Sequence, residues 1–393
     1  MGILRLFLAV SVLAGHLRFG RGIFGLSFLS GGMAVQCFFV ISGFYMALVL
    51  NQKYNYRGSY GTFILQRVLR LYPVYYVILF LILGLEALAS YLSAHPFGVY
   101  ETWSHEPRCI ALPSLCFYAL SNFSILGLDW LWFVQENAFT GHLYFTPQTL
   151  PNTNPCIDYI VNGPAWTLGV EMSFYLAAPF LVRRSVKVQA IWMLASLVLR
   201  SAFFWSMSAK DSNSWTYCFF PSTLFFFLAG SIGYQCYKHY RPQLEKIARA
   251  CVGLFVAFGV VMLAQGRLPF KEYFFWIFAP ISIVMVPLLF ALTRNNPTDR
   301  LIGELSYPFY LVHYHVVKAA EAVLHENHNS LFGPICLVIT LAITYFLYKT
   351  VELRTELFRE RLFKKIHPSP DLKSENFPAE FIQQAERRSP EHR

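Results

Sequence analysis

Apolar runs long enough to cross a bilayer recur along most of the chain, at about 3–20, 31–50, 71–93, 165–182, 188–207, 217–237, 250–266, 273–293, 304–323 and 331–350. The pattern predicts an all-α integral membrane protein of about ten transmembrane helices. The segment 94–163 between the third and fourth runs is long for a connection. Part of it, LPSLCFYALSNFSILGLDWLWF at 112–133, is apolar enough to be a re-entrant or interfacial piece. Its aromatics, with Trp103, Phe139, Tyr144 and Phe145, form either an interfacial belt or a platform on which sugar rings stack. After Val351 the pattern changes. ELRTELFRERLFKKIH places Leu353, Leu357, Phe358, Leu362 and Ile366 on one helical face, with Arg354, Arg359, Arg361, Lys364 and Lys365 over much of the rest. An amphipathic helix lying on the anionic inner leaflet is expected. The polar, Pro-containing residues from about 368 are expected to be disordered. Residues 1–351 thus read as one membrane domain and 352–393 as a cytoplasmic helix and tail, with no soluble catalytic domain appended. No internal repeat stands out, which weakens a transporter reading.

Composition agrees: 55% of the 393 residues are apolar and only 14% are charged. The first run has a basic start, but no small-residue cleavage site follows it, so it reads as a retained helix. Charge sets orientation. With the N-terminus inside, the inner loops carry Lys53, Arg57, Arg67 and Arg70, then Arg183, Arg184 and Lys187, then Lys238, Arg241, Lys246 and Arg249, then Arg294 and Arg300. The outer segment carries a single arginine, Arg108. Both ends are therefore expected in the cytoplasm. The net charge of +10 is mostly this topology signal, and no nucleic acid is expected as a partner. Cys109, Cys116, Cys156 and Cys218 fall on the outer side, where disulfides form, and three full pairings are open among them. Cys37, Cys236, Cys251 and Cys336 read as packing residues. No zinc-type spacing is present, and no metal is expected.

Against this apolar background a few polar positions stand out. Arg5 and His16 are eleven residues apart in the first run, so they share a helix face about 16 Å apart along the axis. They are either an inner anchor and a satisfied buried histidine, or two stations on one path through the membrane. Arg67 and Arg70, three apart in QRVLRLYPVYY, suit a phosphate-bearing ligand at the inner surface, or anchor the topology on lipid phosphates. Glu171, in PAWTLGVEMSFYLAAP, is the only charge between Asp158 and Arg183, and Tyr175 lies on its face. It falls about 10 Å from the outer end of its helix, a depth matched to His16, as an acid–base pair would be. Gly31, Gly32 and Gly43 allow close helix approach, and Ser42 sits among them. Ser306, Tyr307, Tyr310 and His313 cluster in GELSYPFYLVHYHVV, as packing glue or as site residues.

Taken in order, Arg5-x10-His16, GGMAVQCFFVISGF, RVLR followed by YP, WTLGVEMSFY and GELSYPFYLVH resemble the family 3 membrane acyltransferases, O-acetyltransferases of bacterial surface polysaccharides. The resemblance covers roughly 3–352. Thr167 stands where the family often has Ser, and YKTVELRTE keeps Glu352 but lacks the family's Pro. Fused members carry a further extracytoplasmic hydrolase-like domain, which is not expected here.

The resemblance implies a multi-pass protein of the bacterial inner membrane. It implies acyl-CoA, acetyl-CoA in the usual case, as cytoplasmic donor, and as acceptor a saccharide, a lipid-linked saccharide or another envelope or secreted molecule such as an antibiotic. Membrane lipids, envelope-assembly proteins or a second copy of the chain are the expected partners. Arg5, Arg67 and Arg70 would meet the donor's phosphates. His16 would be the general base, with Glu171 orienting its imidazole, and direct transfer and an acyl-histidine intermediate both stay open. Ser42, Tyr175, Ser306, Tyr310 and His313 are the supporting candidates. Two other classes compete: a proton-coupled polysaccharide or lipid transporter using Glu171 and His16 as a relay, and a non-catalytic envelope scaffold.

Overall fold

The computed structural model describes residues 1–17, 22–26, 28–104, 110–146, 150–207, 214–264, 274–324 and 331–366. Arg108, Cys109 and the tail expected to be disordered lie outside the described residues. The ten apolar segments all carry helix: α1 (Gly2–His16), α2 (Gly31–Gln52), α3 (Ser59–Ser93), then, after a long connection, α6 (Trp166–Leu181), α7 (Val186–Ser206), α8 (Phe220–Ala250), α9 (Val252–Leu263), α10 (Phe274–Thr293), α11 (Pro297–Leu324) and α12 (Phe332–Leu347). Among the described residues, five helices are long and apolar enough to cross a membrane: Gly31–Gln52, Ser59–Ser93, Val186–Ser206, Ser214–Ala250 and Phe332–Lys365. Gly2–His16, Val252–Leu263 and Phe278–Thr293 are apolar but shorter. The chain is thus a predominantly helical membrane protein, while ten spans remain an expectation of the sequence.

The centre of the bundle is α2, which packs on α8, α1, α10 and α6. Two glycines set the α2–α8 contact. A Cβ at Gly43 would stand 1.9 Å from the Phe227 carbonyl oxygen, and one at Gly230 would stand 1.9 Å from that of Val40. No side chain fits at either position, which is the small-residue packing expected where lipid gives helices no hydrophobic reason to associate. Phe227 stacks on Phe39 at 4.7 Å and on Phe174 at 4.2 Å, tying α6 to the same contact. Gly31 and Gly32 meet only ordinary van der Waals neighbours.

Three features differ from the sequence expectation. First, α3 begins at Ser59 rather than near 71, so Arg67 and Arg70 lie two to three turns inside a helix, not in a loop. Second, the long connection between α3 and α6 is not purely helical. After α4 (Val99–Ser104) and α5 (Leu112–Ser124), a 3-10 turn (Asp129–Phe133) leads into a three-stranded antiparallel sheet of β1 (Val134–Asn137), β2 (Leu143–Phe145) and β3 (Thr153–Pro155) in the order β2-β1-β3. Tyr118 and Tyr159 stack at 4.1 Å beneath it, and Tyr159 donates to the buried Glu136 carboxylate at 2.6 Å. Third, α12 continues through a π-turn (Tyr348–Glu352) into α13 (Leu353–Ile366), and α13 lies against the protein. Gln66 Nε2 donates to the Arg359 carbonyl at 3.2 Å, Phe363 meets Tyr54 at 5.8 Å, and Lys53 Nζ stands 4.1 Å over the Phe363 ring. Arg359 is turned inward, and Arg354, Arg361, Lys364 and Lys365 remain exposed.

Cys116, Cys156 and Cys218 are free thiols, so no disulfide joins these three. Cys37 and Cys336 are buried as packing residues, whereas Cys236 is exposed and Cys251 half-buried.

Candidate active site

The start of α1 is fixed by α11. Asp299 accepts the N–H of Gly2 at 2.7 Å and of Ile3 at 2.9 Å, capping helical donors that have no partner within α1. Burial pushes the Asp299 carboxyl up, but the bonds from Gly2, the Met1 amino group and Ile3 outweigh it and hold the group below the usual carboxylate range. Gly2 must be small, because a Cβ there would lie 1.5 Å from the Asp299 carbonyl oxygen. This dock sets Arg5, one turn along, beside Gly303 of α11 and aims it into the space between α1, α3 and α6.

Two groups of polar side chains follow, at two depths. The first group gathers around the arginines. Arg5 and Arg70 are electrostatic neighbours of each other and of the carboxylates of Glu171 and Glu352. Neither guanidinium has a hydrogen bond or ion pair among the described residues. Arg67 is buried at 5% exposure, and its Nε has no hydrogen-bond partner among the described residues. A buried guanidinium donor left unpaired costs free energy comparable to a lost charged hydrogen bond. Glu171 Oε1 accepts from Ser42 Oγ at 2.7 Å and from the Tyr175 hydroxyl, drawing α2 and α6 together at this level. Glu352 joins from the π-turn, with Oε2 buried and unpartnered.

The second group gathers around His16, the last residue of α1 and an exposed one. Its ring lies 5.3 Å from that of His313, tilted by 41°, and 5.2 Å from that of Tyr314, edge to face. His313 is fully buried. Its Nδ1 lies 2.7 Å from the Tyr310 carbonyl, and its Nε2 has no partner among the described residues. The Tyr310 hydroxyl meets Thr167 Oγ1 at 3.1 Å, and Thr167 donates to the Pro164 carbonyl, so the first turn of α6 is fastened to α11.

The structure therefore brings together Arg5, Arg70, Glu171, Ser42 and Tyr175 at one depth, with buried Arg67 on the same face of α3, and His16, His313 and Tyr310 at another. It does not bring Glu171 to His16. No hydrogen bond joins them, and the depth match expected from the sequence is corrected: Glu171 is level with the arginines. The reason is the short α1, which ends at His16, while α6 starts at Trp166 and carries Glu171 more than a turn along, to the level of the arginines. Ser306 donates to the Gly303 carbonyl of its own helix at 2.6 Å and makes no bond to another helix among the described residues. Tyr314 was not among the sequence candidates. The signal was present in the YLVHYH run, but nothing in one sequence says which aromatic faces the histidine.

Comparison with known proteins places this arrangement. The chain is 23% identical over 357 residues to the acyltransferase MdmB of Streptomyces mycarofaciens, covering 82% of this chain and 79% of that one. It is 22% identical over 202 residues to an uncharacterized protein of Aquifex aeolicus (strain VF5), covering 51% of this chain and 90% of the relative. No solved structure matches. The acyltransferase family 3 model, described as an acyltransferase domain, matches residues 1–349, nearly the whole helical body. The five motif stretches, the helical membrane body and this match together make the chain a member of acyltransferase family 3.

Proposed function

We propose that this membrane acyltransferase moves an acyl group, acetyl in the simplest case, from cytoplasmic acyl-CoA to a hydroxyl of a saccharide or lipid-linked saccharide presented at the other face. The observation that carries the proposal is the division of the site. Three arginines occupy one depth, two without a hydrogen bond or ion pair among the described residues and one with a buried unpartnered nitrogen. An exposed imidazole stands about 16 Å further along α1. A donor with phosphates at one end and a thioester at the end of a long flexible arm fits that separation. Arg5, Arg67 and Arg70 bind the phosphates through charge-assisted hydrogen bonds. His16 takes the proton of the acceptor hydroxyl as its oxygen attacks the thioester carbonyl. The carbon–sulfur bond breaks, and the departing thiolate recovers the proton from His16. Glu171 acts at the donor end, where it faces Arg5 and Arg70.

A proton-coupled transporter would need His16 and Glu171 on one hydrogen-bonded path, and they belong to separate groups. Acyl-CoA consumption in membrane vesicles separates the two classes, because a transporter leaves the thioester intact. In such vesicles supplied with acetyl-CoA, release of the CoA thiol should fall about 10²–10⁴-fold in His16→Ala. Near-parental release by the folded variant would remove His16 as the base. Mass spectrometry of surface glycans with and without the gene identifies the acceptor.

A further inference from the structure

Among the described residues no carboxylate is bonded to His16, the partner an imidazole base usually has, and another group stands in that place. We infer that His313 is the positioning residue for His16, a reading that rests on His16 being the base. The argument starts from tautomers. A carbonyl oxygen can only accept, so the 2.7 Å contact between His313 Nδ1 and the Tyr310 carbonyl puts the proton on Nδ1. The neutral ring then carries its lone pair on Nε2. That atom is buried, and no described residue donates to it. An acceptor buried without a donor is costly, and its neighbour at 5.3 Å between ring centres is the His16 imidazole, whose N–H is the donor that Nε2 lacks. His16 ends its helix and is exposed, so a modest rotation closes the N–H···N bond.

Burial divides the roles. His313 is fully buried, so no acceptor reaches it, whereas His16 is open to one. Donating one N–H to His313 leaves the other nitrogen of His16 as the lone pair that faces the acceptor hydroxyl. During transfer the hydroxyl proton moves to that nitrogen, and the imidazolium keeps its other proton shared with His313 Nε2. The thiolate leaving group then takes the first proton back. His313 forms no covalent bond and ends each turnover unchanged. Among the described neighbours, Tyr314 meets the imidazole edge to face through its ring, and Lys318 Nζ stands 5.7 Å over the Tyr314 ring as a cation with no lone pair to offer.

Three variants of the full-length protein test this in membrane vesicles with acetyl-CoA as the donor. Gln at 313 places an amide oxygen where Nε2 was and keeps the acceptor. Asn places its amide nitrogen where Nδ1 was, keeping the bond to Tyr310 but losing the acceptor. Phe keeps only the ring. His313→Asn and His313→Phe should lower kcat by about 10²-fold or more while KM for acetyl-CoA stays within about twofold, and His313→Gln should recover at least tenfold of the loss. Gln against Asn, at matched melting temperature in detergent, is the deciding pair, because a purely structural histidine predicts no difference between them. Parental turnover in Asn and Phe, or Gln no faster than Asn, overturns the inference. If His16→Ala is inactive while these variants are not, only the positioning role fails. If His16→Ala is active, the base assignment fails with it.

Discussion

At the scale of single residues, the most consequential are buried groups whose polar atoms have no partner. Arg67 is one, its buried Nε unpaired among the described residues, and half-buried Arg70 on the same helix has no hydrogen bond or ion pair among them. Each lost charge-assisted bond to a donor phosphate is worth about 1.5–3 kcal/mol, so Arg67→Ala and Arg70→Ala should each raise KM for acyl-CoA by about 10- to 100-fold with a smaller effect on kcat. Lys should rescue only in part, for want of the planar fork. Steady-state kinetics in the donor checks this, and an unchanged KM in both would reduce the pair to topology anchors. Asp129 is the second case. It lies in the outer segment with Oδ1 unpartnered, pressed so close to α6 that a Cβ at Gly169 would stand 2.6 Å from it. Burial lifts its carboxyl from 3.8 to about 7. The folded protein therefore holds this proton more tightly than the unfolded chain does. Its contribution is full below about pH 4 and is lost as pH rises towards 7. Asp129→Asn should remove that dependence, and the melting temperatures of parent and variant should diverge steadily between pH 4 and 7. Parallel curves would show that the carboxyl is ionised throughout. Arg5, His16 and Glu171 were legible in the sequence because an ionisable group in an apolar run is costly to keep and so marks a site. Their partners were not, since contacts of Ser42 with Glu171 or His313 with His16 span 129 and 297 positions and depend on how the helices cross.

At the scale of elements, each of the ten apolar runs carries helix, and five helices among the described residues are long and apolar enough to cross a membrane. The small sheet escaped notice. Its strands are three or four residues long, and β1 alternates in burial but places Glu136 at a buried position, so the residue types VQEN show no apolar–polar alternation. The amphipathic pattern of α13 was legible, but not what its face covers. Phe363 lies between Tyr54 and Lys53, so the helix is held on the inner end of the bundle by an aromatic and a cation–π contact. Phe363→Ala should loosen it. Trypsin should then cut at the exposed Arg361, Lys364 and Lys365 several-fold faster in the detergent-solubilised variant than in the parent, with the rest of the chain intact. Equal cleavage would mean that these contacts do not hold α13 in place.

At the scale of the whole molecule, the charge distribution implies cytoplasmic ends and an outer excursion between α3 and α6. Two exposed cysteines lie on opposite sides of that scheme: Cys116 in α5 and Cys236 in α8. In a Cys109→Ser background, a membrane-impermeant maleimide applied to intact cells should label Cys116 and spare Cys236 until the membrane is opened. The reverse order would invert the topology and put the arginines on the wrong side for a cytoplasmic donor. The π-turn at Tyr348–Glu352 gives this arrangement a further property. An α-helix advances about 100° per residue, and a π-turn holds one residue more than an α-turn over the same stretch. Residues 353–366 are therefore out of phase with the buried stripe of α12 that runs through Cys336, Thr340, Thr344 and Leu347. Removing one residue between 348 and 352 would change the side chains of that turn little, yet it would swing Arg359 and Phe363 together round the helix axis, away from Gln66 and Tyr54. The position of the C-terminal helix thus depends on a count of residues as much as on their kind, and a family member with one residue fewer here would present a different face of the same helix to the bundle.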